Sequence, residues 1–158
     1  MKKLVIALGL IGVSAAAFAQ KSSTDSIAEY RAMLQDGNPA DLFEAKGEAL
    51  WQQKRGPKNA SLEKCDLGKG PGVVKGAWVE LPRYFADTGR VQDLESRLLT
   101  CMQELQGFKA DDIAKTPFGR DEQANVTALA TWISSESKGM KFNLSQSHIE
   151  ERKMYEVG

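Results

Sequence analysis

The sequence is poor in histidine and cysteine, and it has no excess of either charge. One His among 158 residues excludes metal sites and catalytic pairs that need two histidines, and two Cys cannot supply a four-cysteine zinc site. The 21 basic side chains equal the 21 acidic ones, so no general attraction draws the chain to nucleic acid or to an anionic membrane. We therefore expect neither nucleic acid nor a membrane among its partners. A hydrophobic share of 42% suits a single core.

Long apolar runs are missing except at the start of the chain. Met1-Lys2-Lys3 is a positive segment, residues 4–13 are apolar, and Ala17-Phe18-Ala19 has the small-x-small pattern of a cleavage site. This pattern predicts a bacterial secretory signal peptide over residues 1–19, which is too short for a membrane span. No later run is long enough to cross a membrane. We expect a soluble mature protein in the periplasm or outside the cell.

That compartment changes the interpretation of the two cysteines. In an oxidising space, two Cys in one domain most simply form a disulfide, and here the pair is Cys65 with Cys101. A reactive thiol and a metal ligand are the alternatives. Neither Cys has a His close in sequence, and no CxxC motif is present, which favours the disulfide.

Capping residues and helically spaced apolar residues predict an all-α fold. Ser26 and Glu29 form a capping box for a short first helix. Asn38 caps the second helix, which has Pro39 at its first position and is ended by Gly56-Pro57. Further helical segments are expected as one turn at 81–85, from about 91 to 107, and from about 122 to 137. No alternation of Val, Ile and Thr indicates a sheet.

A long Gly-rich loop is predicted over residues 52–80, and it is basic. It is not a phosphate-binding loop, because it lacks a GK[ST] ending, and no strand precedes it as in a dinucleotide fingerprint. Its basic residues are Lys54, Arg55, Lys58, Lys64, Lys69 and Lys75, which outnumber Glu63 and Asp66. The loop is either a solvated surface or a docking surface for an acidic partner or a small anion.

Five segments of the chain resemble the SoxA family. They read AEYRAML (28–34), NPADL (38–42), RGPKNASLE (55–63), LPRYFADTGR (81–90) and DLESRL (93–98). The order of a first helix, a Gly-rich loop, a middle helix and a last helix is also that of a cytochrome c-like domain. In such domains the first and last helices cross with a Gly against an aromatic ring, and the resemblance makes Gly47 and Trp132 that pair.

The resemblance implies a function in sulfur oxidation. SoxA is the cytochrome subunit of the SoxAX complex, an L-cysteine S-thiosulfotransferase that couples thiosulfate to a cysteine of the carrier protein SoxY. The implied partners are therefore a SoxX-type cytochrome, a SoxY-type carrier and thiosulfate. Family members have two cytochrome c-like domains. The second carries a CxxCH haem c site and the catalytic cysteine, and the first either binds haem or keeps a disulfide instead.

This chain departs from that pattern in two ways. It has no CxxCH motif, which covalent haem attachment requires, so we expect a haem-less domain over residues 20–139 with the Cys65–Cys101 bridge. It also stops shortly after a segment that resembles the first helix of a second domain. Residues 140–158 are therefore interpreted as a linker and the truncated start of that domain. Neither the catalytic residues nor the haem c site is expected in this chain.

Two further interpretations stay open. His148 is either a haem or metal ligand or a solvated or capping residue; because a lone His has no companion ligands, the second interpretation is favoured. The alternative function is a stand-alone periplasmic helical binding module that uses the basic loop to hold an acidic partner or an anion.

Overall fold

The computed structural model describes residues 23–35, 37–117 and 119–158, so the predicted signal peptide lies outside the described residues. The chain divides into two units, residues 1–36 and 37–158. In the first unit, helix α1 covers Ser23–Gln35 and begins three residues before the predicted capping residue Ser26.

The second unit contains the remaining elements. In chain order they are α2 (Pro39–Gln52), a 3-10 helix (Trp78–Glu80), β1 (Arg83–Phe85), β2 (Arg90–Gln92), α3 (Leu94–Cys101) with a π-helical extension (Met102–Gln106), α4 (Ala110–Ala114), α5 (Asp121–Ser135) and α6 (Ile149–Val157). The helices dominate, as predicted. No helix in the described ranges is long and apolar enough to cross a bilayer.

Helices α2 and α5 cross at the predicted glycine. The N-terminus of α2 is fixed by Asn38, whose side chain accepts a hydrogen bond of 3.0 Å from the N–H of Ala40. Gly47 lies against α5 so closely that a Cβ on it would be 2.6 Å from Cβ of Trp132 and would also collide with the backbone carbonyl oxygen of Ala128. The predicted pairing of Gly47 with Trp132 is confirmed.

The core is built from this crossing, α3 and the loop that follows α2. Trp51 of α2 is buried, and its ring centroid lies 5.8 Å from that of Trp132. Six large apolar side chains with essentially no exposure are contributed by the loop, by α3 with its extension and by α5: Leu62, Leu67, Leu98, Met102, Leu129 and Ile133. The loop is therefore a part of the core and not only a connection between helices.

The all-α prediction is wrong at residues 81–92, which form a small antiparallel hairpin. Arg83 pairs with Gln92 and Phe85 pairs with Arg90. Pro82 disfavours a helical conformation at the residue before it, which argues against the predicted helical turn. Gly89, with φ of +65°, closes the hairpin by donating its N–H to the carbonyl of Phe85 at 2.9 Å.

One predicted helix boundary and one connecting segment also differ from the prediction. Helix α3 begins at Leu94 rather than near Val91, because Val91 lies in β2 and Asp93 accepts a hydrogen bond of 2.8 Å from the N–H of Ser96. Between the predicted helices at about 91–107 and about 122–137, the structure adds the short helix α4.

Candidate functional site

A disulfide joins the Gly-rich loop to α3. It links Cys65 to Cys101, whose Cα atoms are 5.5 Å apart, as the sequence predicted. The two residues are only 1% and 3% exposed and pack within the hydrophobic core. Because both sulfur atoms are consumed in one buried bond, neither is available as a nucleophile or as a metal ligand.

The loop after Cys65 folds around the side chain of Asp66. Its Oδ1 accepts hydrogen bonds from the N–H groups of Gly68 at 2.7 Å and Gly70 at 2.9 Å. Both glycines have φ near +100°, a conformation that favours glycine. The N–H of Gly72 then donates to the carbonyl of Cys65 at 2.9 Å. The N–H groups of Gly68 and Gly70 are thus occupied by a carboxylate of the chain itself.

Arg97 of α3 ties this loop to the hairpin. It is 4% exposed, and its Nε donates to the carbonyl of Asp66 at 2.7 Å. Its Nη1 lies 2.7 Å from the carboxylate of Asp87, and its guanidinium lies over the ring of Phe85 at 4.0 Å. Arg83 of β1 adds a bond of 2.5 Å to the carbonyl of Gly68. Sequence reasoning missed both arginines, because their partners are distant along the chain.

Two of the predicted basic residues are engaged on the far side of the loop. Arg55 forms an ion pair with Glu122 at the start of α5. Lys58 donates from Nζ to the carbonyl of Glu104, in the π-helical extension of α3, at 2.6 Å. These cations hold the loop to the helices, so they are poorly placed to bind a partner.

Of the other four basic residues, one forms an ion pair and three have no carboxylate partner among the described residues. Lys69 pairs with Glu80 at 2.6 Å. Lys54, Lys64 and Lys75 are exposed, and none of the three has a carboxylate partner among the residues that the structure describes. Among the described residues, the cations of the predicted docking surface that are exposed and not engaged by another group are therefore these three lysines.

The residues of this chain do not fit the covalent attachment of a c-type haem. Attachment uses two thiols and a following His, whereas Cys65 and Cys101 share a disulfide and the sequence has no CxxCH. His148 is the N-cap of α6: its Nδ1 accepts from the N–H of Glu150 at 3.2 Å, and its ring stacks on Tyr84 with centroids 3.5 Å apart. The capping interpretation of His148 is confirmed. Within the described ranges, no cluster of His, Cys, Asp and Glu is arranged to hold a metal ion.

A buried carboxylate that sequence reasoning missed lies beside His148. Glu151 is 6% exposed and accepts bonds from the N–H groups of Tyr84 at 2.8 Å and His148 at 3.0 Å. It also accepts from the hydroxyls of Ser145 at 2.8 Å and Ser147 at 3.4 Å. Burial alone raises the pKa of Glu151, but these hydrogen bonds outweigh it and lower the pKa to about 2. The sequence signal that could have identified Glu151 is its position three residues after His148, with which it forms a capping box.

Sequence comparisons agree with the resemblance described above. Residues 46–142 match the profile of the family described as SoxA/TsdA, cytochrome c domain. The L-cysteine S-thiosulfotransferase subunit SoxA of Hydrogenophilus thermoluteolus is 46% identical over 167 residues, which cover 100% of this chain and 61% of that protein. A SoxA subunit of Hydrogenobacter thermophilus is 28% identical over 160 residues, covering 98% of this chain and 58% of that protein. The chain thus spans about three-fifths of the length of these relatives.

A solved structure shares the fold. The crystal structure of SoxXA from P. pantotrophus superposes with a TM-score of 0.57 at 24% identity, covering 77% of this chain and 44% of that chain. At this identity the likeness concerns the fold, whereas the family profile covers well over half of the chain. The chain belongs to the SoxA/TsdA family of cytochrome c domains.

Proposed function

We propose that this chain is the N-terminal part of a SoxA-type subunit of an L-cysteine S-thiosulfotransferase. The observation that carries the proposal is the 46% identity to SoxA of Hydrogenophilus thermoluteolus along the whole chain. In this proposal residues 20–139 are a haem-less cytochrome c-like domain of a periplasmic protein. Residues 140–158 lead into a second cytochrome c domain, which carries the haem c.

The proposed reaction couples thiosulfate to a cysteine of a SoxY-type carrier. One sulfur–sulfur bond forms between the carrier sulfur and the terminal sulfur of thiosulfate. The thiol loses its proton, and the carrier cysteine and thiosulfate together lose two electrons. A SoxX-type cytochrome is the proposed partner subunit, and c-type haem outside this chain is the proposed electron acceptor.

The proposed role of this chain is structural. Its two sulfur atoms are buried in a disulfide, so they cannot take part in sulfur transfer. The bonds of Arg97 and Arg83 to the Gly-rich loop keep the face of the hairpin and the loop in one conformation. We place the contact with an acidic partner on Lys54, Lys64 and Lys75, because these cations are exposed and have no carboxylate partner in the described part of the chain.

The test is a transfer assay on the longer gene product. That product, purified with a SoxX-type cytochrome, is mixed with thiosulfate, an electron acceptor and a SoxY-type carrier. The mass of the carrier is then measured by mass spectrometry. We expect the carrier to gain one thiosulfate-derived group at its cysteine. An unmodified carrier, with SoxX bound and haem present, would contradict the proposal.

A haem assay on the 158-residue chain is the matched control. Expressed alone with c-type haem maturation proteins, it should give no covalent haem signal in a pyridine haemochrome assay. The same chain should be inactive in the transfer assay. A covalent haem signal would contradict the assignment of residues 20–139 as a haem-less domain.

A further inference from the structure

The last segment of the chain is attached to the hairpin at several points. The N–H of Asn143 donates to the carbonyl of Val79 at 2.8 Å, just before β1. The carboxylate of Glu151 then reaches the N–H of Tyr84 in β1, at 2.8 Å. Two distant parts of the segment 143–158 are therefore bonded to residues 79–84.

We propose that residues 143–158 form a rigid strap, pinned to β1 by Glu151, that fixes the direction in which α6 leaves the domain. The consequence of this strap for the whole protein rests on the proposed function: in a SoxA-type subunit, the strap would hold the second domain in one orientation. A flexible linker at the same position would leave the two domains free to reorient.

The four hydrogen bonds to Glu151 are divided between its two carboxylate oxygens. Within the described part of the chain, Oε1 accepts from the N–H of Tyr84 alone, so this oxygen connects α6 to the hairpin. Oε2 accepts from the N–H of His148 and from the hydroxyls of Ser145 and Ser147. One side chain thus fixes both the turn before α6 and the position of α6 on β1.

An aromatic contact reinforces the same junction. The rings of His148 and Tyr84 are stacked at 8°, with centroids 3.5 Å apart. Arg152 closes the turn from its other side, donating from Nη1 to the carbonyls of Gln146 at 2.8 Å and Ser147 at 2.9 Å. The turn 145–148 is therefore held by the hairpin, by Glu151 and by Arg152.

The length of α6 makes its docking measurable. It has 9 residues, and a helix this short is marginal in water without tertiary contacts. Protection of its amides from hydrogen exchange therefore reports its attachment to β1. The amide of Tyr84 is a second reporter, because it donates directly to Glu151.

The experiment is hydrogen exchange on the 158-residue chain, comparing Glu151→Gln with Glu150→Gln. The Gln side chain keeps the size of Glu151 but turns one oxygen into an NH2 group that faces donors. We expect the amides of α6 and of Tyr84 to exchange about ten-fold faster or more in Glu151→Gln. Glu150 is a matched control, because it directly precedes Glu151 on α6 and, among the described residues, its side chain forms an ion pair with Lys153 alone, at 2.7 Å. Glu150→Gln should change these rates less than about two-fold.

Two further measurements decide between a local and a global effect. Amides of α2 and α5 should keep their parent rates in Glu151→Gln, because these helices do not contact the carboxylate.

If that variant does not fold, Ser145→Ala with Ser147→Ala removes two of the donors but leaves the charge and the bond to Tyr84. This double variant should speed exchange in α6 without changing α2.

The strap is contradicted by either of two results. One is unprotected α6 amides in the parent chain, and the other is parent-like exchange in Glu151→Gln. Neither result depends on SoxX, SoxY or haem. A failed transfer assay with a protected α6 would therefore count against the proposed function and leave the strap intact.

Discussion

Gly47 of α2 and Trp132 of α5 are in contact at a point where no side chain fits on the glycine. A Cβ at position 47 would lie 2.6 Å from Cβ of Trp132. It would also collide with the carbonyl oxygen of Ala128, which belongs to the backbone of α5 and cannot rotate away. The crossing of the two helices is therefore set by the absence of a side chain at this position.

The first prediction follows from that contact. Overpacking at this contact should cost about 3 kcal/mol, the upper end of the usual range, because one of the colliding atoms belongs to the backbone. Ala gains about 1 kcal/mol over Gly inside a helix, so Gly47→Ala should lower the free energy of unfolding by about 2 kcal/mol net. Denaturant unfolding followed by tryptophan fluorescence measures it. Lys46→Ala, at the exposed neighbouring position, should stay within about 0.5 kcal/mol of the parent. A Gly47→Ala variant more stable than the parent would contradict the contact.

The second prediction concerns the disulfide. Cys65 and Cys101 are 36 residues apart, and closing a loop of that length is worth about 3–4 kcal/mol in the chain-entropy model. The double variant Cys65→Ala with Cys101→Ala should lose about this much free energy of unfolding. Because both residues are buried, a thiol reagent should also label the reduced parent only at the rate of unfolding. Rapid labelling under native conditions would be inconsistent with the buried bridge.

The third prediction separates Arg97 from an ordinary surface arginine. Arg97→Ala leaves the carbonyl of Asp66 without its donor and removes the guanidinium from the ring of Phe85. We expect a loss of about 2–4 kcal/mol in the free energy of unfolding. Arg90→Ala, an exposed position on the same hairpin, should change it by less than about 0.5 kcal/mol. Equal effects of the two substitutions would show that the buried contacts of Arg97 are not stabilising.

Some parts of the fold could be predicted because they depend on local patterns. Asn38 with Pro39 marks the start of α2, and the predicted last helix corresponds to α5 within two residues at either end. The crossing at Gly47 followed from the family resemblance. These features are encoded by residues close together in sequence or by a pairing that related domains share.

Other parts depend on contacts that sequence spacing does not reveal. Strands β1 and β2 have 3 residues each, too short to show an alternating pattern. The partner of Arg97 Nε in the loop is 31 residues away. Glu151 was missed because His148 is not one of the common N-cap residues, so the capping box was not recognised. The basic residues could be identified from the sequence. Only the structure shows which of these cations contact another group and which do not.

The fourth prediction is a pH dependence from Glu151. Its pKa is lowered from the ordinary 4.5 to about 2 in the folded chain. Since the folded pKa is below the unfolded one, the ionised carboxylate stabilises the folded state at neutral pH. This contribution is lost as the pH falls from about 4.5 toward about 2. Unfolding measured across this range should have a shallower slope in Glu151→Gln than in the parent. An unchanged slope would contradict the lowered pKa.

The fifth prediction tests the docking surface on the basic loop. Lys54, Lys64 and Lys75 are exposed, so replacing all three with Glu should leave the free energy of unfolding within about 1 kcal/mol of the parent. The same variant should slow association of this chain with an acidic partner about ten-fold or more at low salt, because charges at the rim of an interface act mainly on the association rate. Stopped-flow or surface plasmon resonance measurements at two salt concentrations give the association rate and its salt dependence. Denaturant unfolding gives the free energy of unfolding.

The control for this surface carries the same change in net charge elsewhere. Lys46, Lys109 and Lys138 are also exposed, and they lie outside the loop of residues 52–80. If the loop is the docking surface, replacing this second set with Glu should slow association much less than replacing the first set. Equal slowing by both sets would show that only the net charge of the chain matters, and no slowing by the first set would assign the loop to a solvated surface.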